Sequence, residues 1–242
     1  MKLIFDDYDW KARVAPAFII SLPIITTLTT CFDWPGPVLS KMLGGAFWFI
    51  IVYVLTVAVR NAGNSIESRL WENWSGPPST IIMRWKDNQV GKELKVQYHN
   101  AVRNFLKLPM PSELDEATDP QGSDELITQA LKRVRGVLRE KDSKGLWSID
   151  NANYGFQRNL LGGRGLWVIL SIVGVVASGI FVIITKEKMI IGALAGNVGI
   201  LACALYFGWH ILPKSIMRVG FRYADSAWES FLNIASRRKG RA

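Results

Sequence analysis

The chain has 242 residues, of which 49% are apolar, and it carries a formal net charge of +9. The apolar residues are gathered into blocks rather than spaced along one face of a helix or strand, which excludes an ordinary soluble domain. In such a chain the positive charge indicates a juxtamembrane excess rather than nucleic-acid binding. The two cysteines, Cys31 and Cys203, have no metal-ligand spacing and exclude a disulfide framework.

Four stretches contain no charged residue and are each about 18 to 24 residues long, the length that a helix needs to cross a bilayer core of ~30 Å. The remaining sequence is too polar and too short to bury all of them, so the sequence predicts four membrane-spanning helices. Short loops join spans one and two and spans three and four, which predicts two helical hairpins. The four stretches are residues 14–32, 42–59, 166–185 and 189–212.

Lysine and arginine are distributed unevenly around these spans. Of the 29 residues of these two types, 26 lie in segments 1–13, 60–165 and 213–242, and three lie in the short loops. Positive charge collects on the cytoplasmic side of a membrane protein. The distribution therefore predicts that both termini and the long segment between spans two and three face the cytoplasm.

The segment between spans two and three is predicted to be mostly helical. Residues 61–74 continue the second span as far as the Ser-Gly-Pro-Pro sequence of residues 75–78, where two prolines end a helix. Residues 81–85 are expected to be extended, and residues 92–108 form an amphipathic helix. Asp124 is expected to cap a second amphipathic helix, whose buried face carries Ile127, Leu131, Val134 and Leu138.

The residues after the fourth span carry an apolar stripe at helical spacing. The stripe predicts a tail helix that lies along the cytoplasmic domain, a neighbouring subunit or the membrane surface. It consists of Met217, Phe221, Ala224, Trp228, Phe231 and Ala235. The chain thus divides into an N-terminal segment with the first hairpin (1–60), a cytoplasmic helical domain (61–165), the second hairpin (166–212) and an amphipathic tail (213–242).

No recognisable active site is present in the sequence. His99 and His210 lie in separate regions, and there is no phosphate-binding loop, nucleophile elbow or pair of carboxylates inside a span. The spans also lack the ionisable residues of a proton relay. We therefore expect neither an enzyme nor a proton-coupled transporter, and no cofactor or metal.

Small and polar residues inside the spans have two interpretations. Gly192, Gly196 and Gly199 are spaced for close helix packing, and Asn197 is the one amide within a span. These residues either pack helices together or line a water-filled path in an oligomer. The candidates for a pore or a gate are Thr26, Thr30, Asn197 and the bulky pair Phe47 and Trp48.

Two basic stripes recur at helical spacing in the central segment. Lys95, His99, Arg103 and Lys107 share one predicted helix face, and Lys132, Arg135 and Arg139 share another. Each stripe is either a solvated face or a site for an anion such as a nucleotide or a lipid headgroup. Arg84 and Arg158 are further candidates for the same anionic ligand.

Two motifs in the central segment resemble those of a known group of proteins. The first comprises Arg69, the Trp-Ser-Gly-Pro-Pro-Ser-Thr sequence of residues 74–80, Arg84 and Asp87, and the second is the Asn-Tyr-Gly-Phe-x-Arg-Asn-Leu sequence of residues 153–160. They resemble small four-span bacterial membrane effectors of anti-phage defence. The channel component of Hailong-type systems is the nearer likeness, and the Kiwa-type membrane sensor is the second.

The resemblance implies a homo-oligomeric, tetrameric channel in the bacterial inner membrane. A nucleotide product of a partner nucleotidyltransferase would control such a channel from the cytoplasmic side. Our first hypothesis is accordingly a ligand-gated channel or membrane-disrupting effector. The alternative is a membrane-anchored sensor or scaffold that recruits a soluble partner without conducting ions.

Overall fold

The computed structural model describes the backbone of residues 7–31 and 37–239, and the side chains of residues 7–31 and 48–237. Within these residues the chain forms helices and no strands. Three short stretches are π-helical. The elements are α1 (Asp7–Asp9), π1 (Trp10–Val14), α2 (Ala15–Cys31), α3 (Pro37–Asn73), α4 (Pro78–Ile81), α5 (Lys92–Ala101), π2 (Val102–Leu106), α6 (Glu113–Thr118), α7 (Pro120–Lys141), α8 (Leu146–Gly162), α9 (Arg164–Thr185), α10 (Lys188–Tyr206), π3 (Phe207–Ile211) and α11 (Leu212–Lys239).

Four helical stretches of the described chain are long and apolar enough to cross a membrane: Asp7–Cys31, Trp48–Ile81, Arg164–Thr185 and Lys188–Arg237. Each contains, or overlaps with, one of the charge-free stretches of the sequence. The prediction of an all-helical chain with four candidate membrane-spanning helices is therefore confirmed for the residues that the structure describes. Phe32, the last residue of the first predicted span, lies outside them.

The chain forms two compact units. Unit 1 comprises Met1–Glu67 and Gly155–Ile216, and unit 2 comprises Ser68–Tyr154 and Met217–Ala242. Unit 1 holds most of the apolar spans, and unit 2 holds most of the central segment together with the tail. The chain passes from one unit to the other inside helices α3, α8 and α11.

Unit 1 is built on the packing of α2, α9 and α10 against one another. Their buried positions are mostly small, so the helix backbones approach closely, as membrane helices do. The buried positions include Ala17, Ser21, Ser171, Gly174, Ser178 and Ala193. By contrast, the exposed face of α9 carries large branched side chains, namely Ile169, Ile172, Val173, Val176, Ile180, Ile183 and Ile184.

Unit 2 has a conventional apolar core beneath the tail helix. The predicted buried face of the second amphipathic helix, α7, is confirmed, because all four of its apolar residues are buried. The tail is the predicted helix, and it packs on the central segment. Trp228 of α11 is buried and donates from Nε1 to the carbonyl oxygen of Ser79 at 2.9 Å, while Phe231 meets the ring of Phe105 edge to face.

Two local predictions in this unit are wrong. Residues 81–85 are not extended, because Ile81 is the last residue of the short helix α4 and residues 82–85 form turns and a bend. The helix begins at Pro78, since the missing N–H of proline costs nothing at a first helical position. The second amphipathic helix begins earlier than expected, at Pro120, and its cap is Asp119, whose side chain accepts from the N–H of Gly122. Asp124 is therefore free for another role.

Candidate functional site

The first basic stripe of the sequence is buried in its first half and exposed in its second half. Lys95 and His99 have 2% and 0% of their surfaces exposed, whereas Arg103 and Lys107 are exposed. The helix also does not continue regularly, since α5 gives way to π2 and Lys107 adopts a left-handed conformation. The prediction that Lys95 and His99 share an accessible anion-binding face with Arg103 is therefore wrong.

Both buried side chains hold the loop that follows α4. The ammonium of Lys95 donates to the carbonyl oxygens of Arg84, at 2.6 Å, and Asp87. His99 Nε2 lies 3.0 Å from the carbonyl oxygen of Met83, and because a carbonyl only accepts, Nε2 carries the proton. Burial lowers the pKa of both groups, which weakens their attraction for an external anion.

Carboxylates hold the same loop from the other side. Glu116 accepts hydrogen bonds from the backbone N–H groups of Trp85, at 2.6 Å, and Lys86, at 3.2 Å. Asp124 binds the guanidinium of Arg84, and this hydrogen-bonded contact raises the pKa of the arginine above its usual value. Arg84 is therefore engaged inside unit 2, and the structure does not present it as an open anion site.

The basic residues that remain accessible lie on π2 and α7. Arg103 is exposed and donates to the carbonyl oxygen of Met110 at 2.7 Å. Lys132 and Arg139 are exposed, and Arg135 places its guanidinium 5.7 Å from the centre of the Tyr223 ring. Arg135 Nε is buried and has no hydrogen-bond partner. Of the predicted anion ligands, Arg103, Lys132 and Arg139 are exposed and Arg135 is half-buried.

Arg158 and Asn159 of the second motif lie in unit 1 and contact other parts of that unit. Arg158 pairs with Glu67 at 3.0 Å and also donates to Asn159 Oδ1 at 3.3 Å. Asn159 is buried, and its Nδ2 donates to the carbonyl oxygen of Ala12 at 2.7 Å. A Cβ atom on Gly63 would lie 2.1 Å from Asn159 Oδ1, so only glycine allows this approach. Arg158 thus helps to hold helices together.

Asn197 forms the centre of a buried polar cluster among α2, α9 and α10. Its Nδ2 donates to Thr27 Oγ1 at 3.0 Å and to Ser178 Oγ at 2.8 Å. The two hydroxyls donate in turn to the carbonyl oxygens of Pro23 and Gly174 in their own helices. Because Asn197 is completely buried, its side chain does not face a water-filled path in the single chain, and we no longer assign it to a pore lining.

The other pore candidates are less buried. Thr26 and Thr30 are half-buried, and the hydroxyl of Thr30 bonds to the carbonyl oxygen of Thr26 at 2.6 Å within α2. Trp48 is half-buried on α3. The side chain of Phe47 lies outside the described residues, so the predicted constriction formed by Phe47 and Trp48 stays a prediction.

Three glycines of α10 lie on a face that is exposed among the described residues. A Cβ atom added to Gly192, Gly196 or Gly199 would meet no atom of the described residues within 4 Å. The same face carries further small exposed residues, Ala195, Ala202 and Cys203. The spacing of the glycines was visible in the sequence, but their exposure was not.

Among the described residues, no group of three or more His, Cys, Asp or Glu side chains is placed to hold a metal ion. No protein-family model, curated protein or solved structure matches the chain. The assignment of a function consequently depends on the geometry of the two units.

Proposed function

We propose that the protein is a homo-oligomeric membrane channel, assembled through the small-residue face of α10 and gated by a ligand of the segment between spans two and three. The observation that carries the proposal is the exposed glycine face. No described residue of the chain packs closely enough to require glycine at positions 192, 196 and 199, and the lipid-exposed face of α9 carries large side chains instead. Close approach of a helix from another copy explains small residues there.

The proposal includes the topology that the charge distribution predicts. Only Lys186 and Glu187 separate α9 from α10, and the two helices contact each other, which supports a second hairpin. With four spans, both termini and unit 2 lie on the positively charged, cytoplasmic side of a bacterial inner membrane. The half-buried threonines Thr26 and Thr30 and the aromatic Trp48 are the proposed pore and gate residues.

The proposed ligand is a phosphate-bearing nucleotide, made by a partner nucleotidyltransferase in a system of anti-phage defence. Arg103, Lys132, Arg135 and Arg139 are its proposed ligands, because the first, second and fourth are exposed and Arg135 is half-buried on the same helix as Lys132 and Arg139. Lys95, His99 and Arg84 are removed from this set by their contacts within unit 2. A tetramer is the proposed assembly.

Conductance in planar bilayers tests the proposal. Gly196→Leu places a large side chain in the proposed interface and is expected to abolish single-channel currents that the native chain shows with a nucleotide extract from infected cells. Val198→Leu is the matched control, since Val198 is exposed on the neighbouring face of the same helix and its substitution should leave the currents intact. Equal currents from both variants would contradict assembly through the glycine face.

A second candidate function is a membrane-anchored sensor or scaffold. It is favoured by large apolar side chains on the surface of unit 2, where Leu114, Leu146 and Ile149 are 75%, 58% and 50% exposed. Such residues are suited to docking a soluble partner. Recovery of a stoichiometric partner that is lost in Leu146→Asp, together with unchanged membrane potential, would favour this function over a channel.

A further inference from the structure

Two π-helical turns in unit 1 share one local sequence plan. π1 spans Trp10–Val14 and π3 spans Phe207–Ile211, and each is followed by one residue and then by a proline, Pro16 or Pro213. π-helical turns inside α-helices are rare. The shared plan indicates that proline causes both.

Proline acts on π1 through its missing N–H and its ring. In an α-helix the N–H of residue 16 would bond to the carbonyl oxygen of Ala12, and Pro16 has no N–H, while its ring crowds that carbonyl. The helix widens, so that the N–H of Ala15 bonds to the carbonyl oxygen of Trp10, five residues earlier. The carbonyl of Ala12 therefore loses its α-helical partner.

In π3 the affected carbonyl lies five residues before the proline rather than four. The N–H of Leu212 bonds to the carbonyl oxygen of Phe207 rather than to that of Gly208. The next N–H that could serve Gly208 would belong to residue 213, which is Pro213. The carbonyl of Gly208 is thereby left without a partner in its own helix.

Two side chains from one turn of the chain donate hydrogen bonds to these two carbonyl oxygens. Asn159 Nδ2 donates to the carbonyl oxygen of Ala12 at 2.7 Å, and Arg164 Nη1 donates to that of Gly208 at 3.1 Å. The guanidinium of Arg164 also lies 4.8 Å from the centre of the Trp209 ring. Each π turn is thus held by a donor from outside its own helix.

The two donors are rigidly connected. Asn159 lies in the last turn of α8, Arg164 is the first residue of α9, and only Gly163 separates the helices. The N–H of Gly163 bonds to the carbonyl oxygen of Asn159 at 2.9 Å. A Cβ atom on Gly163 would lie 2.7 Å from the side chain of Ile20 in α2, so the turn is packed tightly against its surroundings.

We propose that the turn from Asn159 to Arg164, here called the clasp, couples the start of α2 to the end of α10. When the clasp opens, both π turns lose the donor that supports them from outside, and the backbone hydrogen bonds of both turns weaken together. The clasp belongs to the single chain, so this inference does not depend on the proposed channel.

Hydrogen–deuterium exchange of the full chain in lipid nanodiscs tests the clasp. The peptides of interest cover residues 10–15 and 207–212. Asn159→Leu and Arg164→Met each remove one donor, and each is expected to raise exchange about fivefold in both peptides, the size expected for loss of one hydrogen bond. Arg60→Met, at an exposed arginine of α3, is the matched control and should change neither peptide.

Restoring an N–H provides a rescue that a merely local role would not show. In the double variant Asn159→Leu, Pro16→Ala, the N–H of residue 16 can bond to the carbonyl of Ala12, and exchange in residues 207–212 should return toward the native rate. Effects confined to the peptide nearest each substitution, or a failure of this rescue, would overturn the coupling. Should Asn159→Leu fail to insert, Pro16→Ala and Pro213→Ala alone serve instead, and each must alter exchange in the opposite peptide.

Discussion

Arg84 holds Asp124 through two hydrogen bonds, of 2.8 Å from Nε and 2.6 Å from Nη2. The pair joins the loop after α4 to the first turns of α7. A Cβ atom on Gly76, which has a φ of 136°, would lie 2.6 Å from Arg84 Nη2, so glycine is needed there for its conformation and for this close approach. The first motif of the sequence therefore has a structural role in unit 2.

Replacing Arg84 tests that role. Arg84→Lys keeps the charge but cannot make two parallel hydrogen bonds, and we expect it to lower the free energy of unfolding by about 1 to 2 kcal/mol. Arg133→Lys, at an exposed position of α7, should change it by less than about 0.5 kcal/mol. Thermal midpoints of the two variants in the same detergent provide the comparison, and equal midpoints would contradict a structural role for the pair.

The buried amide in unit 1 should couple to the hydroxyl that it meets. Thr27→Val and Asn197→Ala each remove one side of a 3.0 Å hydrogen bond, so their effects on stability should fall short of additivity by about 0.6 kcal/mol. Thr29 bonds only within its own helix, and Thr29→Val should be additive with Asn197→Ala. A double-mutant cycle of thermal stability measures both couplings. Additivity in the Thr27 cycle would show that the cluster does not hold α2 to α10.

His99 makes the stability of unit 2 depend on pH. Burial lowers its pKa, so the unfolded chain binds a proton at the ordinary histidine value of about 6.5 while the folded chain resists it. The contribution of His99 to the free energy of unfolding is therefore fully present above that pH, and it is lost as the pH falls further, through the lowered pKa of the folded chain. Arg103, which is positive, and Glu116, which is negative, act on the same ring with opposite signs.

The thermal midpoint of the native chain should therefore fall more steeply between pH 7.5 and pH 5.5 than that of His99→Gln. Asp225 acts in the opposite direction, because burial raises its pKa, but both proteins contain it and the comparison removes its effect. If the thermal midpoint of His99→Gln falls with pH as steeply as that of the native chain, His99 is not the source of the pH dependence.

Sequence patterns were sufficient where one physical effect dominates. Stretches without charge and of bilayer length predicted the candidate spans, and the Ser-Gly-Pro-Pro sequence predicted an end of α3 at residue 74, one residue after the observed end at Asn73. The interpretation of the Lys95 and His99 stripe failed because the partners of these side chains are carbonyl groups of the loop that precedes α5, against which the helix folds back. The spacing of residues within one helix does not predict a contact with a carbonyl group of another segment. The cap at Asp119, by contrast, could have been predicted, since aspartate before proline is a common helix start.

Exposed and buried basic residues of unit 2 should have different effects on ligand binding and on stability. Lys132→Gln and Arg139→Gln remove exposed charges and are expected to weaken binding of a phosphate-bearing nucleotide about tenfold together, without changing the thermal midpoint. Lys95→Met removes a buried ammonium and should lower the midpoint. Isothermal titration calorimetry with the nucleotide measures the affinity, and a thermal melt of each variant measures the midpoint. Weaker nucleotide binding in Lys95→Met, at an unchanged thermal midpoint, would contradict the assignment of Lys95 to stability rather than to ligand binding.

The central claim is that copies of the chain assemble through the exposed glycines of α10. The mass of the native complex in lipid nanodiscs, measured by native mass spectrometry, tests it most directly. We expect the native mass to be a multiple of the 27.1 kDa chain mass, with four copies proposed. Gly196→Leu should reduce it to the mass of a single chain, and Val198→Leu should leave it unchanged. A single chain in the native sample, or an oligomer that Gly196→Leu leaves intact, would contradict it.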